Sequence, residues 1–147
     1  MRYNMLTLKQ NLPFYIPEIF NTFVSERVTR DGISVINFRD SSYDHVSGGF
    51  RPVEIKVEKL GKHYALISTT EFAYLGQESL PKLSKYQHFD FINNTYSSKS
   101  GDLPIDLEAG ASLQSLIEST LTFALFDEVK VSFVGGHVFL TKDTSEA

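Results

Sequence analysis

The 147-residue chain contains no cysteine. That excludes a disulfide framework, a thiol nucleophile and thiolate metal sites, and it fits a reducing compartment. No apolar run approaches the roughly 20 residues that a membrane-crossing helix needs. The opening stretch, MRYNMLTLKQNLPFYIPEIF, has one early Arg, no continuous apolar segment and no small-residue cleavage site, so a secretory signal peptide is not expected. Basic clusters are missing too. Fourteen Lys and Arg are interleaved with eighteen Asp and Glu, giving a net charge of −4. Nucleic-acid binding draws most of its affinity from clustered cations, so no nucleic-acid partner is expected. The setting these absences favour is cytoplasmic, with no membrane partner.

The chain is rich in aromatic residues. Twelve Phe and seven Tyr supply large buried areas, and 41% of residues are hydrophobic. Residues 1–147 therefore read as one domain with an ordered core, the arm 1–14 and the tail 143–147 being less ordered.

Ile19, Phe20, Phe23, Val24 and Val28 recur at helical spacing behind Pro17, predicting a helix over 17–28. ISVINF (33–38) has strand composition, and PVEIKVEK (52–59) alternates strictly, with Val53, Ile55 and Val57 on one face and Glu54, Lys56 and Glu58 on a wet one. Gly61 marks a turn into a strand over 63–74. Residues 76–87 read as a loop, and Asn93-Asn94 as a hairpin turn. A longer helix spans about 106–126, with Leu113, Leu116, Ile117, Thr120, Leu121 and Ala124 as its buried stripe. Gly135-Gly136 predicts a C-terminal hairpin over 129–142 that turns Phe139 and His137 outward as a candidate interface. Runs of strands joined by short turns indicate an α+β fold: a largely antiparallel sheet packed by the N-terminal helix and the helix near 106–126.

Three segments carry a resemblance. FRDSSYDHVSGGFRPVEI (38–55), TEFAYLG (70–76) and LSKYQHFDF (83–91) occur in the order found in an uncharacterised bacterial family, domain-of-unknown-function family 2787, and the likeness covers about residues 36–126. The resemblance implies a small α+β bacterial protein. It carries over no catalytic residue.

The first of these segments is also the densest collection of reactive side chains. Asp40, Asp44 and His45 offer carboxylates and imidazole to a divalent metal, but Asp-x-x-x-Asp-His matches no spacing with a known mechanism. Asp40 and Asp44 equally suit binding to the loop's own amides. Glu71, inside TEFAY, calls for a partner such as Arg39 or Arg51. No complete catalytic set is present, and no cofactor is expected. The leading expectation is a non-catalytic binding module whose site is formed by Arg39, Asp40, Tyr43, Arg51, Glu71 and Tyr74. Its partner would be a small anionic ligand or another protein, and its state a monomer or weak homodimer. The alternatives are a small metal-dependent hydrolase using Asp40, Asp44 and His45, and a structural homodimer built on the C-terminal hairpin through His137 and Phe139.

Overall fold

The computed structural model describes residues 5–12, 15–44, 46, 48–75, 82–98, 101–122 and 126–141. Its first element is a short strand, β1 (Thr7–Leu8), followed by helix α1 (Glu18–Arg27). Pro17 starts that helix: its carbonyl accepts the amide of Phe20 at 2.9 Å, and it contributes no N–H that would need a partner. Phe20 and Val24 point into the core, as the helical spacing requires, while Ile19 is exposed.

Five strands then follow: β2 (Gly32–Arg39), β3 (Val53–Leu60), β4 (His63–Leu75), β5 (Lys82–Asp90) and β6 (Thr95–Ser98). A short β7 (Gly101–Pro104), helix α2 (Leu107–Thr122) and β8 (Glu128–Phe133) complete the described elements. The sheet order is β7-β6-β5-β4-β3-β2-β8, antiparallel throughout, with β1 joining β4 in parallel. This is an α+β fold. Among the described residues no helix is long and apolar enough to cross a membrane.

Alternation along each strand divides the sheet into two faces. Ile36, Phe38, Val53, Ile55, Val57, Leu66 and Phe89 lie on the face that packs against Phe20 and Val24 of α1 and Leu113 and Ile117 of α2. The opposite, outer face carries Glu54, Lys56, Glu58, Ser68, Thr70, His88 and Asp90, as the pairs Glu54↔Thr70, Lys56↔Ser68, Thr70↔His88 and Ser68↔Asp90 require. Two bulges modify this pattern. Ile67 is the extra residue where the β3–β4 register shifts, and Tyr86 is the extra residue where β4–β5 shifts.

Part of the arm before α1, residues 5–12, is docked on the fold: Leu6 is buried, and its amide donates to Ser25 Oγ at 2.8 Å. Gln10 works as a substitute strand there. Its side-chain amide accepts from Leu66 N at 2.9 Å and donates to Leu66 O at 3.0 Å, filling the edge of β4 between β1 and β5. Residues 82–87, read as loop, belong to β5; its sparse apolar content reflects a burial pattern that is mostly exposed, which weakens the sequence signal. The hairpin 129–142 forms only its first arm. After β8, the amides of both Val134 and Gly135 bond the single carbonyl of Ile33, at 2.8 and 2.9 Å, and the two glycines, with φ of 90° and 83°, turn the chain across the outer face instead of back along β8. Phe139 consequently is not displayed on an edge hairpin; it is half-buried against the core.

Candidate functional site

The loop after β2 is organised by its own carboxylates. Asp40 accepts the amide and hydroxyl of Ser42 at 3.0 and 2.6 Å through one oxygen, and the amide of Phe50 at 2.9 Å through the other. These donors, Phe50 first, hold its carboxyl below the usual Asp value. Asp127 takes the amide of Ser41 at 2.8 Å and its hydroxyl as well, tying the loop to the start of β8. Asp44 accepts the amide of Val46 at 2.8 Å and exchanges backbone bonds with Gly48. His45 lies outside the described residues. Among those that are described, no three His, Asp or Glu side chains gather as metal ligands.

The six residues expected to form one site fall into separate places. Arg51 reaches Glu71 at 3.9 Å and lies 4.0 Å from the centroid of the Tyr86 ring, which the β5 bulge delivers. Gln87 donates to Glu71 at 2.9 Å and accepts from the Tyr96 hydroxyl at 2.9 Å. This relay occupies the helix-facing side of the sheet, since Glu71 pairs with Val53. Tyr74 alternates with Glu71 and Ala73, so it faces the outer side. Tyr43 stacks on it at 5.2 Å between centroids, and its oxygen accepts the amide of Tyr74 at 3.1 Å. Asp40 is absorbed by the loop. Arg39 is exposed at the end of β2, opposite Glu128 in the ladder.

Between the Tyr43–Tyr74 stack and the C-terminal crossing lies a trough of about 240 Å³, lined by Glu54, Lys56, Ile67, Ser68, Thr70, Lys85, His88, Asp90 and Ile92. Its floor is the outer face of β3, β4 and β5. At its centre Thr70 Oγ1 and His88 Nδ1 are 2.6 Å apart. Burial, reinforced by Lys85, lowers the His88 pKa below its ordinary value, so the imidazole is biased toward its neutral form. Asp90 is committed to the turn that follows it, accepting the amides of Ile92 and Asn93 and the side chain of Asn93. Lys56 and Lys85 have no carboxylate within 4.0 Å among the described residues. Lys85 and His88 were passed over in the sequence because β5 carries no clean alternation. Lys56 was visible on the wet face of PVEIKVEK, but nothing local showed what it would face.

The far end of the trough's face is closed by a carboxylate that the alternation had placed in water. Glu58 is fully buried. It accepts the backbone amides of Val138 at 3.0, Phe139 at 2.8 and Leu140 at 3.0 Å, and His137 Nδ1 lies 3.0 Å away. Successive amides converging on one carboxylate form an anion-holding concavity in the backbone. Here the anion is the protein's own, and His137 lies beside it while remaining exposed.

Solved structures share this architecture. A hypothetical protein from the Vibrio cholerae VSP-II pathogenicity island aligns with a TM-score of 0.73 at 22% identity, covering 88% of this chain and 99% of its own. A conserved hypothetical protein from pathogenicity island VPI-2 of Vibrio cholerae O1, described as sharing structural homology with the human P32 protein, aligns with a TM-score of 0.70 at 26% identity, covering 86% and 100%. No curated protein matches the chain. The loop, the β4–β5 arm and both helices all lie within residues 15–132, which match the family model described as "Protein of unknown function (DUF2787)", and the chain belongs to that family.

Proposed function

We propose that this protein is a non-catalytic binding module that holds a small anionic ligand in the outer-face trough. The observation that carries the reading is the pair Lys56 and Lys85: two ammonium groups share one concave site with Glu54 and Asp90, yet neither lies within 4.0 Å of a carboxylate among the described residues, and Asp90 is engaged by its own turn. If the Thr70 hydroxyl donates to Nδ1 of a neutral His88, Nε2 carries the proton and becomes a donor toward the ligand. The hydroxyl of Ser68 adds a further polar group to the lining. On this reading the anion is held on the outer sheet face by Lys56 and Lys85 rather than by Arg39 and Arg51.

A nucleophile–base reading of Thr70 and His88 is weaker. Such a pair needs a third group to orient the imidazole, and the nearby Asp90 is engaged by its own turn. Asp40, whose two oxygens are both taken by loop donors, likewise lends nothing to a metal-dependent hydrolase.

Thermal-shift and calorimetric titrations with inorganic phosphate and with small mono- and dicarboxylates test the proposal. A ligand at about 100 times its Kd contributes about 2.7 kcal/mol, which for a domain of this size raises Tm by roughly 5–10 °C. The shift should disappear in Lys56→Met/Lys85→Met. No shift with any anion, or a shift that survives the double substitution, overturns the assignment.

A further inference from the structure

One edge of the sheet is open and self-complementary. Val134 donates to Ile33 O, extending the β2–β8 ladder in which Ser34 faces Phe133. Backbone direction alternates along a strand, so the even-numbered residues of β8 turn their N–H and C=O groups toward β2. Val129, Val131 and Phe133 turn theirs outward, and no strand among the described residues pairs with them. Their side chains, opposite Phe38, Ile36 and Ser34, form an apolar row on the helix-facing side. Val129 and Phe133 each remain 39% exposed, although Arg30 covers one side of the Phe133 ring. The opposite edge of the sheet is less open to pairing: β7 has four residues and ends in Pro104, which has no N–H.

We propose that β8 pairs with β8 of a second copy of this chain, antiparallel, about a two-fold axis at Val131. In that register Val131 meets the second copy's Val131, and Val129 meets its Phe133 on either side. All of these are outward-pointing residues able to exchange both backbone bonds. An isologous contact needs a patch that matches itself under the two-fold, and the order Val-Val-Phe against Phe-Val-Val does so. Lys130 then faces Ser132, so no like charges stand directly opposite. An axis at Val129 would bring Glu128 to Lys130 but would run the ladder into Asp127, outside β8, and would carry Phe133 beyond the strand's own length. The strand itself therefore favours Val131.

The cysteine-free chain makes the test clean. Residues in a hydrogen-bonded antiparallel pair have Cα atoms about 5.5 Å apart, within disulfide range. Sedimentation equilibrium should show the mass rising from monomer to dimer with concentration. Val131→Cys should form a disulfide-linked dimer on mild oxidation, whereas Val129→Cys should cross-link only when mixed with Phe133→Cys. Val129→Lys, at a half-exposed position, should abolish the dimer while its circular dichroism stays native. A monomer at every concentration overturns the proposal and leaves the edge to a different partner. Faster self-cross-linking at 129 than at 131, or a dimer that persists in Val129→Lys, overturns this pairing.

Discussion

Glu58, on the third strand, accepts the backbone amide of Leu140 at 3.0 Å across 82 residues of sequence. With Val138, Phe139 and His137 on the same carboxylate, this one side chain fixes the path of the chain after β8. Breaking a buried, hydrogen-bonded charge site by removing one partner costs about 3–5 kcal/mol, because the donors left behind stay desolvated. Glu58→Ala should therefore lower Tm by roughly 6–20 °C for a domain of this size. Glu54→Gln, four residues away on the same face without such bonds, should stay within about 0.5 kcal/mol of wild type. Calorimetric melting of the two variants checks this; equal effects would show that the crossing is not held by Glu58.

The paired glycines of the loop separate by their surroundings. Both have positive φ, 78° at Gly48 and 118° at Gly49. A Cβ at Gly48 would meet nothing within 4 Å, whereas at Gly49 it would lie 2.8 Å from Asp40 Oδ2 and 3.1 Å from Tyr43 Cα. Backbone strain of this kind costs about 1–3 kcal/mol, so Gly48→Ala should fall in that range. Gly49→Ala should exceed it, because it also displaces the carboxylate that holds Ser42 and Phe50. Chemical denaturation of the two variants gives the comparison.

Gln10 stands in for a strand, and its loss has a defined consequence. Gln10→Ala leaves both the N–H and the C=O of Leu66 without their partner in a part-buried position. Unsatisfied groups of this kind cost about 1–3 kcal/mol. Gln10→Glu should recover part of the loss, since a carboxylate still accepts from Leu66 N but cannot donate to Leu66 O. Amide exchange at Leu66 should accelerate in the alanine variant more than in the glutamate variant.

Both helices, the alternation of β3, the β3–β4 turn and the α+β class were legible because each rests on a local rule: apolar spacing, a glycine at positive φ, side chains at period two. Three features were not, and for one shared reason. The docking of Gln10, the burial of Glu58 and the split of Arg51 from Tyr43 and Tyr74 are long-range pairings that no local window contains. Alternation correctly placed Glu58 opposite Val57 but could not show that residues 137–140 would cover it. The Gly135-Gly136 signal was physically sound as a turn. What overruled the hairpin was the Glu58 carboxylate, a stronger acceptor for the next three amides than a second strand's carbonyls. The trough stayed hidden because β5 interrupts its alternation with the Tyr86 bulge, so Lys85 and His88 carried no pattern that joined them to Lys56.

His88 should impose a pH dependence whose sign follows from its environment. Burial first, then Lys85, lowers its pKa from the ordinary 6.5, against opposing contributions from Asp90 and Glu54, with Lys56 also acting to lower it. Below 6.5 the unfolded chain takes up a proton there that the folded protein takes up only at lower pH. The unfolded state therefore binds more protons in that window, and stability must fall as pH drops through it and level off above it. An NMR titration of the imidazole should give a midpoint below 6.5, and His88→Gln should flatten this part of the stability profile. Lys85→Met, by removing a neighbouring cation, should raise the midpoint. An anion bound in the trough would move it in the same direction, since negative charge favours the protonated ring. The wild-type titration with and without phosphate thus reads the proposed site directly: a midpoint that phosphate leaves unmoved places the anion elsewhere.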